Sequence, residues 1–205
     1  VDDLTYASEN FQKKEPETIF MNNCFLQGKT YIAGSNFEKA LEVLGLGDGS
    51  YNNYVPTYKI QAVTNLDLST VAFEKEGLAG IEYFKMLENL KVKSVTSLDL
   101  TKNTKLKTLA INGIELENLD VSTCLDLLYL EIGDSRLTNL DLSKNINLTR
   151  VTLGDNLISE LNLRDKIKLQ KLVTKGKRLA NLDFTGAEAL LILKITGTQI
   201  QDIDF

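Results

Sequence analysis

Few residue types in the sequence could carry out catalysis, and the ones that are missing exclude whole classes of chemistry. No histidine occurs among the 205 residues, which excludes Ser-His-Asp triads, Cys-His dyads and His-ligated metal sites. The two cysteines, Cys24 and Cys124, are too few for a disulfide scaffold or a four-thiolate zinc site. We expect two free thiols, the alternative being a Cys24–Cys124 disulfide that joins two distant parts of the chain.

A candidate calcium loop spans Asp48 to Lys59. Asp48, Ser50 and Asn52 stand at positions 1, 3 and 5 of an EF-hand-like loop. Position 12, where calcium requires a bidentate glutamate, is Lys59. We therefore favour a polar turn here, and we predict no metal site and no cofactor.

Aspartates recur in equivalent positions along the chain and could in principle bind a metal or act as acid and base. This aspartate column comprises Asp67, Asp99, Asp120, Asp141, Asp183 and Asp204, with Asn162 as the exception. Its members stand between leucines or other apolar residues, and an enzyme has little use for the same chemistry at every repeat. We expect these carboxylates to solvate the outer surface and to accept local backbone hydrogen bonds.

The aspartates belong to a repeat of 21 residues. Leucine occurs 35 times, and apolar residues return in register at six positions of the unit. One of these columns contains Leu109, Leu130, Val151, Leu172 and Leu193. A unit of this length cannot bury its own apolar face, so successive units must stack as turns of a solenoid around a shared core.

Each unit has the form L-x-x-L-x-L-x-x-N-x-L followed by x-x-L-D-L-S. The alternation in L-x-L predicts one short strand per turn, with successive strands parallel and about 4.8 Å apart. We interpret L-D-L-S as the return leg of the turn. A partial earlier unit starts at Leu66-Asp67-Leu68-Ser69, and the insertion from Thr70 to Lys85 is predicted to lie on the convex side.

These residues resemble the leucine-rich repeat family, and more narrowly the short-repeat, internalin-like surface proteins of bacteria, especially of the Bacteroidetes. The segments Val63–Ser69 and Gly80–Phe84 are similar to the opening unit of that group. The resemblance implies an α/β repeat solenoid, right-handed, with a parallel β-sheet on its concave face. The sequence departs from the pattern in the asparagine column, which contains asparagine only at Asn156 among Ile114, Ser135, Lys177 and Thr198.

We predict two regions, an N-terminal flanking region over residues 1–62 and a repeat solenoid over residues 63–205. A helix near 36–45 should cap the first turn. Ser35 and Glu38 have the spacing of a capping box. The apolar face of this helix comprises Phe37, Ala40, Leu41 and Leu44, and Gly45 is its predicted end.

The outward-facing strand positions are the candidate binding surface. Between Asn89 and Thr196 these positions include six basic residues and one acidic residue, in a chain whose net charge is −5. Tyr and Arg are common hot-spot residues, which makes this a plausible recognition surface, and the alternative is a solvated strand face with incidental lysines. The predicted ligand-binding residues are Tyr129, Glu131, Arg150, Thr152, Lys171, Val173, Ile192 and Lys194.

We therefore predict a non-enzymatic module that binds a protein or a glycan, with an acidic partner among the options. The alternative is a structural spacer in a larger adhesin that has no ligand of its own. The acidic balance argues against nucleic acid, and no apolar run reaches the roughly 18 residues of a membrane span. The resemblance implies an extracellular or cell-surface protein, lipid anchoring included. No signal peptide is visible, as expected for a mature chain, and the sequence leaves the oligomeric state open.

Overall fold

A computed structural model describes residues 28–71, 73, 77–113, 115–201 and 203. The described chain begins with a small cap. Its elements are β1 (Lys29–Tyr31), α1 (Ser35–Val43), β2 (Tyr54–Pro56) and α2 (Thr57–Ile60). Strands β1 and β2 pair antiparallel. Helix α1 buries Phe37, whose ring packs 6.3 Å from that of Phe73 and 6.0 Å from that of Phe84, so the cap covers the first turn of the solenoid.

The start of α1 differs from the predicted capping box. Gly34 precedes the helix, and no side chain caps its N-terminus. The buried Glu38 carboxylate instead accepts hydrogen bonds from the backbone N–H groups of Asn52 (2.8 Å) and Tyr54 (3.2 Å). The buried Glu38 carboxylate needs donors, and the backbone N–H groups of the loop before β2 supply them.

The structure confirms that α1 ends before Gly45, but it does not bury Leu44 as the sequence predicted. Gly45 follows the helix with φ 75°, the left-handed conformation that glycine adopts without a steric penalty. Leu44 is 47% exposed, so the buried face of the helix is formed by Phe37, Ala40 and Leu41. The predicted apolar face is therefore one residue too long.

The solenoid presents a seven-stranded parallel sheet, with one strand from each turn. Its strands are β3 (Asn65–Leu68), β4 (Asn89–Lys93), β5 (Thr108–Asn112), β6 (Tyr129–Ile132), β7 (Arg150–Leu153), β9 (Lys171–Lys175) and β11 (Ile192–Thr196). They pair in chain order, with β7 next to β9 and β9 next to β11. Leucines at alternate positions point into the core, which leaves the other side chains on the open face.

Strand register confirms the predicted stacking of the repeats. Leu109 pairs with Leu130, Leu130 with Val151, Val151 with Leu172, and Leu172 with Leu193. The first four of these side chains are at most 1% exposed. Leu193, in the last described turn, is partly buried. One continuous hydrophobic core therefore runs from the cap through the stacked turns.

The return legs form a second, smaller surface. Strands β8 (Glu160–Asn162) and β10 (Asn181–Asp183) pair in parallel there, with Leu161 opposite Leu182. In the first turn, a short 3-10 helix over Ile81–Tyr83 lies within the connection from β3 to β4.

The assignment of Leu66-Asp67-Leu68-Ser69 to a return leg is wrong. Leu66 pairs with Leu90 and Leu68 with Val92, so this segment is the first strand of the main sheet. Sequence similarity favours the wrong element here: Asn65-Leu66-Asp67-Leu68 is identical to the return leg Asn139-Leu140-Asp141-Leu142, and it shares with Asn89-Leu90-Lys91-Val92 only the first two residues and the apolar alternation. Asp67 therefore lies on the same face as the predicted binding residues.

Candidate binding surface

The side chains that point outward from the seven-stranded sheet form the concave face, in rows that run across the strands. The first row contains Asn65, Asn89, Thr108, Tyr129, Arg150, Lys171 and Ile192. The second row contains Asp67, Lys91, Ala110, Glu131, Thr152, Val173 and Lys194. The eight predicted ligand-binding residues occupy the last four places of each row, so the structure brings all of them together.

Tyr129 and Arg150 form the clearest pairwise contact on this face. Their strands are neighbours in register, and the Arg150 guanidinium carbon lies 5.3 Å from the centre of the Tyr129 ring. This is the geometry of a cation–π interaction. The stack holds the guanidinium over the sheet while Tyr129 remains 40% exposed, so both side chains can reach a ligand without first being ordered.

Four cations lie on the last three strands of the concave face. Arg150 is on β7, Lys171 and Lys175 are on β9, and Lys194 is on β11. Within the described residues, no carboxylate lies within 4.0 Å of any of these four charges. Like charges collected on one face of an acidic protein create a local positive field.

The aspartate column has the structural role that its spacing predicted. Asp99 Oδ1 accepts from the Thr101 backbone N–H (2.9 Å) and hydroxyl (2.7 Å). These bonds, the hydroxyl first, hold the pKa of the Asp99 carboxyl below its usual range. The same bond to the backbone N–H two residues later recurs at Asp67, Asp120, Asp141 and Asp183, and the amide oxygen of Asn162 accepts it from Arg164. Asp204 lies outside the described residues.

A column of buried side chains stabilises the turns that follow the return legs. Asn103 Nδ2 donates to the carbonyls of Ile81 (2.9 Å) and Phe84 (3.1 Å) in the preceding turn. Asn145 Nδ2 donates to those of Val121 and Cys124, both at 2.9 Å. We call Asn103, Cys124, Asn145 and Lys166 the turn ladder, because each lies 21 residues after the last.

Cys124 is a buried member of this ladder rather than a group near the surface. It is a free thiol, 0% exposed, and its Sγ lies 3.8 Å from the Asn103 carbonyl oxygen. Burial raises the pKa of the Cys124 thiol to about 11, so the thiol is protonated and unreactive at neutral pH. Cys24, the other half of the alternative disulfide, lies outside the described residues.

Two ammonium groups bind oxygen atoms at the first residue of the candidate calcium loop and just before it. Lys59 Nζ donates to the carbonyls of Gly45 (3.1 Å) and Gly47, and Lys29 Nζ lies 2.7 Å from Asp48 Oδ2. The Lys29 hydrogen bond is the main reason that the pKa of Asp48 is lowered. No group of three or more Asp, Glu or Cys side chains in the described part of the chain could hold a metal ion.

A shallow groove of about 980 Å³ runs along the return legs, between the first connection and the aspartate column. Its carboxylates are those of Glu82, Asp99, Asp120 and Asp141. The three aspartates have lowered pKa values and are hydrogen-bonded to their own turns. An ionised carboxylate that already accepts such bonds is poorly suited to general acid catalysis.

Among the described helices, none has the length and apolar composition needed to cross a membrane.

The fold is similar to that of a solved structure from Listeria monocytogenes, the functional domain of InlJ, which includes a cysteine ladder. The two share 26% identity over 86% of this chain, with a TM-score of 0.74. The chain folds as a leucine-rich repeat solenoid. It spans 40% of the length of that domain.

Other internalins give weaker matches. Internalin C2 from L. monocytogenes is 16% identical over 79% of this chain and 92% of its own, with a TM-score of 0.32. The internalin InlF from the same organism is 15% identical over 82% and 76%, with a TM-score of 0.26. Neither superposition is close enough to support an argument. No protein-family profile and no curated protein matches the sequence.

Proposed function

We propose that the protein is a non-enzymatic recognition module that binds a protein partner through the last four strands of its concave face. The observation that carries the proposal is the run of predicted residues in two adjacent rows, with Arg150 stacked on Tyr129. Leucine-rich repeat neighbours of the internalin type favour a binding or adhesion module over an enzyme.

A rigid sheet suits this role because it presents its side chains already in place. Backbone hydrogen bonds between neighbouring strands fix the spacing of the rows, so binding requires little further ordering of the main chain. Val173 and the 51% exposed Ile192 lie among the polar side chains of this face. Apolar area beside aromatic and guanidinium groups is typical of a protein interface.

We further propose that the protein acts outside the bacterial cell, secreted or held at the surface, in keeping with the internalin-like repeats. The competing role, a spacer without a ligand, predicts that the concave face can be altered without any effect on binding. The two roles therefore differ in one measurable respect.

The test is capture of partners from the surface extract of host or neighbouring cells by immobilised protein. The double charge reversal Arg150→Glu and Lys171→Glu should remove the captured partner. The matched control is Lys102→Glu with Lys144→Glu, which introduces the same charge change at exposed residues outside the sheet. Equal capture by both double variants would eliminate concave-face recognition and leave the spacer role.

A further inference from the structure

The concave face is divided into two electrostatically different halves. In the N-terminal half, Lys91 Nζ lies 3.8 Å from Asp67 Oδ2, and the Asn89 amide donates to Asn65 Oδ1 at 2.5 Å. These contacts pair Lys91 and Asn89 with neighbours on the face itself and leave Lys93 as the single unpaired cation of this half among the described residues.

The C-terminal half has the opposite character. Arg150, Lys171, Lys175 and Lys194, which we name the basic patch, have no anionic partner among the described residues. Glu131 is the only acidic residue on strands β6, β7, β9 and β11, and it forms no ion pair there with a described residue. A net charge of −5 for the whole chain makes this local excess of cations more pronounced.

We infer that the basic patch binds an acidic, extended polypeptide segment that also carries apolar side chains. This inference rests on the proposed function and specifies the chemistry of its partner. Carboxylates complement the four unpaired cations, and such complementarity mainly increases association rate and specificity. The N-terminal half, where Lys91 is paired with Asp67 and Lys93 is the single unpaired cation among the described residues, contributes little to recognition.

The spacing of the cations favours an extended chain. Lys171 and Lys175 begin and end β9, which separates their Cα atoms by about 13 Å at the usual rise per residue. Lys194 lies on the neighbouring strand, opposite Val173, and therefore halfway between them. A partner strand that places carboxylates at alternate residues can reach all three ammonium groups.

The apolar residues within the basic patch distinguish a polypeptide from a polysaccharide. Val173 lies between Lys171 and Lys175 on β9, and Ile192 continues the row of Arg150 and Lys171. A carboxylated or sulfated polysaccharide would pair with the cations but would leave these side chains without apolar contacts. An acidic peptide with aromatic or aliphatic residues can cover them.

The experiment measures binding of fluorescein-labelled copolymer of glutamate and tyrosine to the full chain by anisotropy, with poly-L-glutamate and heparin as comparison probes. We expect the copolymer to bind more tightly than either, with affinity that falls as NaCl increases. Lys171→Glu with Lys194→Glu should weaken copolymer binding by about tenfold or more. Lys91→Glu with Lys93→Glu, an equal charge change in the N-terminal half, should weaken it less than threefold.

Far-ultraviolet circular dichroism and a melting curve for each variant confirm that the exposed substitutions leave the fold intact. Tighter binding of heparin than of the copolymer would overturn the inference in favour of a polysaccharide. Equal weakening by the two double variants would overturn the division of the face. If the copolymer fails to bind while Arg150→Glu and Lys171→Glu still abolish partner capture, the proposed function stands and the acidic-peptide inference falls.

Discussion

From β5 to β11, each concave-face side chain lies beside the side chain of the residue one repeat earlier. Tyr129 and Arg150 are 21 residues apart in sequence, and they stack because the register places them side by side. From β5 to β11, where paired residues are 21 apart, a residue's neighbours across the sheet could therefore be read directly from the sequence. In the turns, the burial and hydrogen bonds of a residue were harder to predict: the sequence placed Cys124 near the surface, whereas the structure buries it.

The buried Cys124 thiol should make the free energy of unfolding depend on pH in the alkaline range. Burial raises the pKa of its thiol from 9.0 to about 11, so between these values the unfolded state loses a proton that the folded state retains. The free energy of unfolding should therefore fall as the pH rises from 9 to 11, by about 2 kcal/mol from this group alone. Urea unfolding at pH 8.5 and at pH 11 would measure the loss.

The matched control for this prediction is Cys124→Asn, the residue found at Asn103 and Asn145 in the same ladder. Comparing the two proteins cancels the contribution of every group other than the Cys124 thiol. The variant should lose less stability than the parent protein over the same pH interval. Parallel losses would contradict a buried, protonated thiol at this position.

At the scale of the element, the turn ladder links each turn to the preceding one. The amide of Asn145 donates to two carbonyls of the preceding turn. Lys166 occupies the next place, only 3% exposed, and no described residue accepts a hydrogen bond from its ammonium group. Burial lowers the pKa of Lys166, against the opposing attraction of Asp141 and Asp165.

Lys166→Asn should stabilise the protein. The shorter amide restores the two donor bonds of the ladder and removes a poorly hydrated charge, for a gain of about 1 kcal/mol in the free energy of unfolding. Chemical denaturation at pH 7 is the measurement. Lys144→Asn, at the exposed residue before Asn145 in the preceding turn, should change stability by less than about 0.5 kcal/mol, and a destabilised Lys166→Asn would refute the ladder argument.

Neighbouring turns approach each other closely at Gly154, which follows β7, and an alanine substitution there tests how rigidly the turns are stacked. A Cβ at Gly154 would lie 2.6 Å from the carbonyl carbon of Gly133 and from Asp134 Oδ1. Gly154→Ala should therefore cost about 1–3 kcal/mol of stability. Gly176, one turn later, is the control, because the atom nearest to a Cβ placed there is the Leu179 Cβ, at 3.7 Å.

Thermal or urea unfolding of the two alanine variants would measure this difference directly. Gly176→Ala should unfold close to the parent protein, whereas Gly154→Ala should unfold at a clearly lower denaturant concentration. Equal stabilities would mean that the turns adjust their separation without penalty, in conflict with a rigidly stacked sheet.

The elements divide into those that the repeat fixes and those that depend on tertiary contacts. Strands β5, β6, β7, β9 and β11 fall where L-x-L predicts them, because inward leucines must face the shared core. The return-leg assignment of Leu66 and Leu68 is wrong, because the inserted connection disrupts the period just where the alignment needed it. Glu38 likewise bonds to a loop that no local pattern reveals.

At the scale of the whole molecule, the stacked turns separate opposite charges onto different surfaces. Of the aspartate column, Asp99, Asp120 and Asp141 lie along the return legs in a groove with several carboxylates, whereas the basic patch lies on the concave face. The row arrangement of the eight predicted binding residues follows from the period alone. The ion pair in the N-terminal half does not follow from the period, because it requires Asp67 to be on the sheet, beside Lys91.

The register of the concave sheet is the claim on which the binding surface depends, and disulfide trapping measures it directly. Thr152 and Val173 are paired across β7 and β9, so cysteines placed there have Cα atoms about 4.8 Å apart, within disulfide range. Cysteines at 152 and 175 would be about 8 Å apart, beyond that range. Both pairs are made in a Cys24→Ser, Cys124→Asn background and oxidised mildly.

Mass spectrometry and thiol titration then report which pair has closed. The account predicts rapid and nearly complete disulfide formation for the 152–173 pair, with the 152–175 pair remaining reduced. Closure of the 152–175 pair in preference to the 152–173 pair would mean that the strands are displaced from this register, and the rows of the concave face would not exist as described.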